Sequence, residues 1–170
     1  MKAIVACDAE WGIGYEGQLQ QRVSADLRRF RAMTIGKVVI YGRKTLDTFP
    51  KKKPLPQRVN LIFHRRIEPP IEGARFLCNL EDLWSVLSAL RKKGYHDDDF
   101  IVIGGESIYE LLFPWIDEVH LTQFKEVYPA DVRFPRLDRM PDWTMTSCGE
   151  WLEENGVSFR YLTFQRQSIA

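Results

Sequence analysis

Asp26 follows the glycine-rich stretch Trp11-Gly12-Ile13-Gly14-Tyr15-Glu16-Gly17 and stands in the first turn of a predicted helix. A carboxylate facing an apolar pocket is costly unless a cation or a hydrogen-bond donor meets it. A ligand with an amidine-like donor pair would meet it well. A plainer reading stands beside this one. An Asp in the first helical turn is stabilised by the macrodipole and by free backbone N–H groups.

Two segments share a second pattern, a buried strand that ends in glycine and opens into a helix. One is Val38-Val39-Ile40-Tyr41-Gly42-Arg43-Lys44-Thr45, the other Phe100-Ile101-Val102-Ile103-Gly104-Gly105-Glu106-Ser107-Ile108-Tyr109. Glycine lets the backbone approach a ligand, and a helix start presents unpaired N–H groups that suit phosphate. Arg43, Lys44 and Thr45 add charge and donors there. His64-Arg65-Arg66 end a third strand and could meet a second phosphate; the alternative is a solvated loop. Arg58 follows Pro54-Leu55-Pro56-Gln57. The prolines stiffen its approach, so its guanidinium could be held for a bidentate carboxylate contact; the alternative is an ordinary surface Arg. His120 lies inside a predicted strand and reads as structural. His96 with Asp97, Asp98 and Asp99 reads as a solvated turn rather than a metal site. No metal is expected.

These residues need a scaffold. The chain has 170 residues, 45% apolar and 28% charged, with a formal charge of +1. That is ordinary for one globular domain over residues 1–170, and gives no general case for nucleic acid or a membrane surface. Cys7, Cys78 and Cys148 are odd in number and widely spaced, which points to a reducing compartment, hence the cytoplasm. No apolar run reaches membrane-spanning length. Ala3–Ala6, Lys37–Tyr41, Val59–Phe63 and Phe100–Ile103 are continuous apolar runs, as parallel strands covered on both faces should be. Helical spacing marks Ala25–Thr34, Leu80–Lys93 and Ser107–Phe113, the last ended by Pro114. The expected fold class is α/β, a mostly parallel mixed sheet flanked by helices. Asn155-Gly156, between the β-rich runs Trp143–Leu152 and Val157–Gln165, predicts an antiparallel hairpin at its end.

Together these residues resemble dihydrofolate reductase. The marks are Gly12-Ile13-Gly14 with Gly17, Asp26-Leu27 with Phe30 and Thr34, and Gly42-Arg43-Lys44-Thr45. Then come Pro54-Leu55-Pro56 with Arg58 and Asn60, Ile103-Gly104-Gly105 with Tyr109, Leu121-Thr122, and Asp131 with Phe134-Pro135. Their order and spacing run through most of the chain. The resemblance implies NADPH-dependent reduction of dihydrofolate to tetrahydrofolate by a monomer with no nucleic-acid or membrane partner. It implies that Asp26 binds the amino-pyrimidine edge of the pterin, with Thr122 in the same network. Ile4, Val5, Leu27, Phe30, Leu55, Ile103 and Tyr109 would line the substrate pocket, and Arg58 would hold the glutamate carboxylate. Gly42, Arg43, Lys44 and Thr45 would contact cofactor phosphates, with His64 and Arg65 near the ribose 2′-phosphate. Ala6, Ile13 and Gly14 would neighbour the nicotinamide. The run Ile103, Gly104, Gly105, Glu106, Ser107, Ile108 and Tyr109 would border the cofactor, with a cis peptide at Gly104-Gly105. The loop from about Asp8 to Val23 would close over the site, anchored by Asp131.

The sequence departs from the family in one place that matters. Leu19-Gln20-Gln21 replaces Leu-Pro-Trp, and Val23-Ser24 replaces a second Leu-Pro. Gln21 thus stands where an aromatic shields the pocket, and is expected to help place the water that protonates the substrate. Glu106 puts a negative charge where a small residue is usual. Two other readings remain open here: a related pyrimidine or pterin reductase on the same scaffold, and a folate-binding relic with little activity.

Overall fold

A computed structural model describes residues 1–66 and 68–168. In chain order the regular elements are β1 (Lys2–Cys7), β2 (Gly12–Gly14), α1 (Ser24–Thr34), β3 (Val38–Gly42), α2 (Arg43–Leu46), β4 (Val59–Phe63) and β5 (Ala74–Leu77). There follow α3 (Leu80–Lys92), β6 (Phe100–Gly104), α4 (Glu106–Leu112), β7 (Glu118–Phe124), β8 (Val132–Arg133), β9 (Trp143–Cys148), β10 (Leu152–Glu154) and β11 (Val157–Arg166).

Among the described residues, nine strands form one sheet in the order β10-β11-β7-β1-β6-β3-β4-β5, with β9 also pairing β11. From β7 to β5 every neighbouring pair is parallel. β11 runs antiparallel to β7 and to its outer partners β9 and β10. This is the mixed sheet that continuous and hairpin-bounded runs predict. In β3 and β4 successive side chains enter different cores: Val38, Ile40, Leu61 and Phe63 pack on one face, Val39, Tyr41 and Ile62 on the other. The first face is covered by Leu83, Leu87 and Leu90 of α3 and by Ile108 and Leu112 of α4. Asn79 caps α3, its side chain accepting from Asp82 N at 2.9 Å.

Two details differ from the expectation. The run Trp143–Leu152 is not one strand. It breaks at Gly149–Trp151, where Gly149 N bonds Tyr161 O at 2.8 Å, and the β9–β11 register shifts at Thr163/Phe164. The turn at Asn155-Gly156 is as expected, with φ of 50° and 78° at its two central residues. Secondly, a small separate sheet pairs β2 with β8. It joins the loop after β1 to the Asp131 segment, a long-range contact that local patterning does not reveal.

α1 is the least embedded of the long helices. Thr34 is its one buried residue among those described. Leu27, Phe30 and Met33 share a face at helical spacing, yet that face looks into a cleft rather than into the core, and Leu27 is 45% exposed.

Candidate active site

The cleft, about 1960 Å³, lies at the carboxyl ends of the parallel strands, where open α/β sheets bind ligands. One wall is the inward face of α1. The Asp26 carboxylate sits there beside β7, and Thr122 Oγ1 donates to Asp26 Oδ1 at 2.6 Å. Tyr161 of β11 lies opposite Thr122 in the sheet register, and the Arg29 guanidinium stacks over its ring at 4.0 Å. Burial pushes the Asp26 carboxyl above the usual carboxylate range; the Thr122 hydroxyl and the Arg29 charge pull the other way without cancelling it. A second oxygen thus remains for a ligand at the bottom of an apolar wall made by Ile4, Val5, Leu27, Phe30, Leu55 and Ile103. Ile103 reaches the cleft because β6 is irregular there: Tyr41 pairs with Gly104, skipping it.

Arg58 lies at the mouth of this apolar part. Its Nε donates to Pro56 O at 2.9 Å and its Nη1 to Thr34 Oγ1 at 3.3 Å, so the guanidinium is held in place with donors left over. Asn60 shapes the loop that carries it. The Asn60 amide donates to Leu55 O at 2.9 Å and Arg58 O at 3.1 Å, and accepts from Leu55 N at 3.0 Å and the Tyr41 hydroxyl at 2.8 Å. One buried amide therefore sets both Leu55 and Arg58.

On the opposite side, Gly42 caps α2, and Arg43, Lys44 and Thr45 line the cleft, joined by His64 and Arg65 from the end of β4. Arg43 Nη1 bonds Asp47 at 2.6 Å, while its buried Nε has no hydrogen-bond partner and lies 3.7 Å from Glu68. A buried guanidinium N–H without a partner beside an open helix start suits an anion. The Gly104–Gly105 peptide is cis. Gly105, Glu106, Ser107, Ile108 and Tyr109 border the cleft, whereas Gly104 sits behind it against the Tyr109 ring, 3.3 Å from where a Cβ would stand. The Tyr109 hydroxyl is already used, donating to Ile4 O at 2.6 Å. Glu106 accepts from Arg133 N at 3.2 Å, which engages the negative charge that the sequence places near the phosphates.

Ala6, Ile13 and Gly14 lie between the two halves, under the loop that follows β1. Asp131 holds that loop: its Oδ2 accepts from Glu16 N at 2.9 Å, and its own N–H bonds Gly14 O at 3.0 Å. Gln21 corrects the sequence-based expectation. It does not line the cleft, whereas Leu19 and Arg22 on either side do. An open loop backbone, without the prolines, turns position 20 inward to the loop's own anchor instead.

That anchor is Asp8, which sequence reasoning missed. It is fully buried and accepts from Gly12 N at 2.9 Å, Glu10 N at 2.9 Å, Tyr128 N at 3.0 Å and Gln20 Nε2 at 3.0 Å. Burial raises its pKa, but the bonds from Tyr128, Gly12, Gln20 and Glu10 outweigh this and hold the carboxyl below the usual range. Gly12 is required there: a Cβ would lie 2.6 Å from Ala130 Cβ and 2.9 Å from Asp8 Oδ2. The one sequence signal was an Asp directly after a buried strand. Arg29 was missed as well, although its place one turn beyond Asp26 puts it on the same face. His120 is half-buried on Glu118, Asp99 pairs with Lys37, and no metal-ligand cluster occurs among the described residues.

A lone carboxylate on a helix, facing a basic helix start across the strand ends, defines an α/β fold built for two ligands, one flat and one phosphorylated. The sequence model of one family, dihydrofolate reductase, matches residues 1–166. The chain belongs to the dihydrofolate reductase family. It is 34% identical over 159 residues to the dihydrofolate reductase of Mycobacterium leprae, covering 91% of this chain and 90% of that one. To the Bacillus subtilis enzyme it is 28% identical over 167 residues, covering 97% and 94%. A solved dihydrofolate reductase from Enterococcus faecalis, complexed with NADP(H) and RAB-propyl, superposes with a TM-score of 0.81 at 25% identity, covering 98% of this chain and 96% of that one.

Proposed function

We propose that this chain reduces 7,8-dihydrofolate to 5,6,7,8-tetrahydrofolate with NADPH, using Asp26 to hold the pterin. The observation that carries the reading is the Thr122–Asp26 pair, set in the apolar half of a cleft whose other half is basic and glycine-bounded. The cofactor, when bound, supplies a hydride to C6 of the pterin. The residues present fit it: Arg43, Lys44, Thr45, His64 and Arg65 would take its phosphates, and Arg43 Nε has no hydrogen bond to give up. Ala6, Ile13, Gly14 and Gly105 would flank its ring.

Asp26 would accept from the amino-pyrimidine edge while Thr122 fixes its other oxygen. From the amino-pyrimidine edge the carboxylate would favour the protonated pterin by charge, and a water would carry the proton to N5. The expected role of Gln21 in placing that water gains no support from the cleft, which Leu19 and Arg22 line instead. Arg58 would hold the carboxylate of the folate tail. The loop from Asp8 to Val23, tied down by Asp8 and Asp131, excludes bulk water and aligns the reacting rings.

The remaining features of this reading are one domain over residues 1–170, a monomer, a cytoplasmic location and no nucleic-acid partner. A formal charge of +1 and three unpaired cysteines support it, and no helix among the described residues is long and apolar enough to cross a membrane. A pyrimidine reductase on the same scaffold is disfavoured by Asp26 and Arg58 at folate-like separation. The test is loss of NADPH absorbance on adding dihydrofolate, and its block by a diaminopyrimidine. Dihydrofolate binding without NADPH oxidation would instead support a relic.

A further inference from the structure

The start of α1 lacks a side-chain cap of its own. The N-cap residue is Val23, which has no acceptor. Two of the free N–H groups are met from elsewhere. Ser24 N donates to Glu154 Oε2 at 2.6 Å and Ala25 N donates to Glu154 Oε1 at 3.3 Å. Glu154 closes β10 at the Asn155-Gly156 turn, 130 residues away in sequence. Both of its oxygens are spent on one helix start, where the macrodipole also favours a negative charge.

This contact bears on the site because of what α1 lacks. The helix itself buries only Thr34, while Val23 just before it packs on Phe124 and Phe159 with Ala25 against them, so an apolar contact holds the chain at the helix start without fixing the direction of its N–H groups. The polar contacts of that turn come from the antiparallel side of the sheet: Glu154 on Ser24 and Ala25, Thr122 of β7 on Asp26, and Tyr161 under Arg29. The two outer members, Glu154 and Tyr161, come from the β10–β11 hairpin. Ser24 also follows directly on the loop that runs from Asp8 to Val23, so the same bond pins the chain where that loop ends.

We propose that Glu154 is a positioning residue: its carboxylate fixes the first turn of α1 and thereby the Asp26 carboxylate in the cleft. The proposal rests on the assignment of Asp26 to the pterin. It has a specific consequence. A helix start that needs no acceptor at position 24 would leave Glu154 only its longer bond, from Ala25 N, and so make it matter less. Ser24→Pro creates one: proline is well accepted at the first helical position, and Val23, at φ −116° and ψ 122°, already has the backbone that a residue before proline adopts.

The experiment is a double-mutant cycle in steady-state dihydrofolate reduction, with thermal unfolding measured on each protein. Glu154→Ala should lower kcat/KM for dihydrofolate about tenfold, since a small misplacement of a positioned group has that order of effect. In the Ser24→Pro background, where only the Ala25 bond remains, the same substitution should cost less, about threefold. A role confined to hairpin stability would give equal losses in both backgrounds, and that result overturns the proposal, as does a fully active Glu154→Ala. An inactive parent would sink the assignment of Asp26 instead and leaves amide exchange as the measure. If a variant fails to fold, Glu154→Gln decides: faster exchange confined to Ser24 and Ala25 supports the tether, and unchanged exchange there refutes it.

Discussion

At the scale of single residues the site depends on one strained balance. Asp26 sits in a setting that penalises its charge, with Thr122 and Arg29 offsetting part of the penalty. An Asp whose folded pKa lies above its unfolded value makes the protein less stable as the pH rises between the two, and that cost persists above them. Asp26→Asn should therefore be more thermostable than the parent at pH 7, and the gap should vanish below the ordinary Asp range near about pH 3.9. Unfolding scans at the two pH values check this. Arg58 carries a prediction of the opposite kind. Its guanidinium has no part in the chemistry, so Arg58→Gln should raise KM for dihydrofolate roughly tenfold to a hundredfold, the worth of a charged hydrogen bond of about 1.5–3 kcal/mol, with kcat little changed. A kcat loss without a KM rise would place Arg58 elsewhere. Both residues could be singled out in the sequence, because an acid at a helix start and an Arg behind two prolines are local signals.

Among the elements, the loop between β1 and α1 is held by a buried acid. Asp8 holds it by four donors, three of them backbone N–H groups. Asp8→Ala should cost about 2 kcal/mol or more in denaturant unfolding, since it strands several buried donors at once. The pH sign is the reverse of that for Asp26. The Asp8 carboxyl is depressed, so its contribution is present above the ordinary Asp range and is lost as pH falls through the folded value. A parent protein whose acid unfolding is unchanged by Asp8→Ala would contradict the anchor. The sequence concealed this arrangement for a physical reason. Asp8, Gln20 and Tyr128 meet only when the loop folds back, and no periodicity records a contact across 120 residues. Gln21 was misjudged on the same ground: a residue's place in a motif fixes its position in the chain, not which way a loop without proline turns it. Strands β1, β3, β4 and β6 were legible because both faces are buried, while β2 and β8, of three and two residues, are too short for a pattern.

For the whole molecule, the parallel centre provides strand ends for binding, and the antiparallel edge fixes the helix that bears the acid. The sheet runs unbroken from the hairpin to β5, so the hairpin and the basic half of the cleft should unfold together. A single transition, with circular dichroism and tryptophan fluorescence coinciding, is expected, and light scattering should give one chain of 19.9 kDa. Two separated transitions would divide the domain. The alternation of strands and helices carried this architecture in the sequence; the broken arm at Gly149–Trp151 did not show, because three residues between β9 and β10 are too few to interrupt the β-rich run. Everything functional rests on Asp26 facing a bound pterin. The most direct measurement is the single-turnover rate of dihydrofolate reduction by NADPH at neutral pH, in the parent and in Asp26→Asn. The geometry predicts a loss of at least about a hundredfold, near 3 kcal/mol of transition-state stabilisation; equal rates in the two proteins would contradict it.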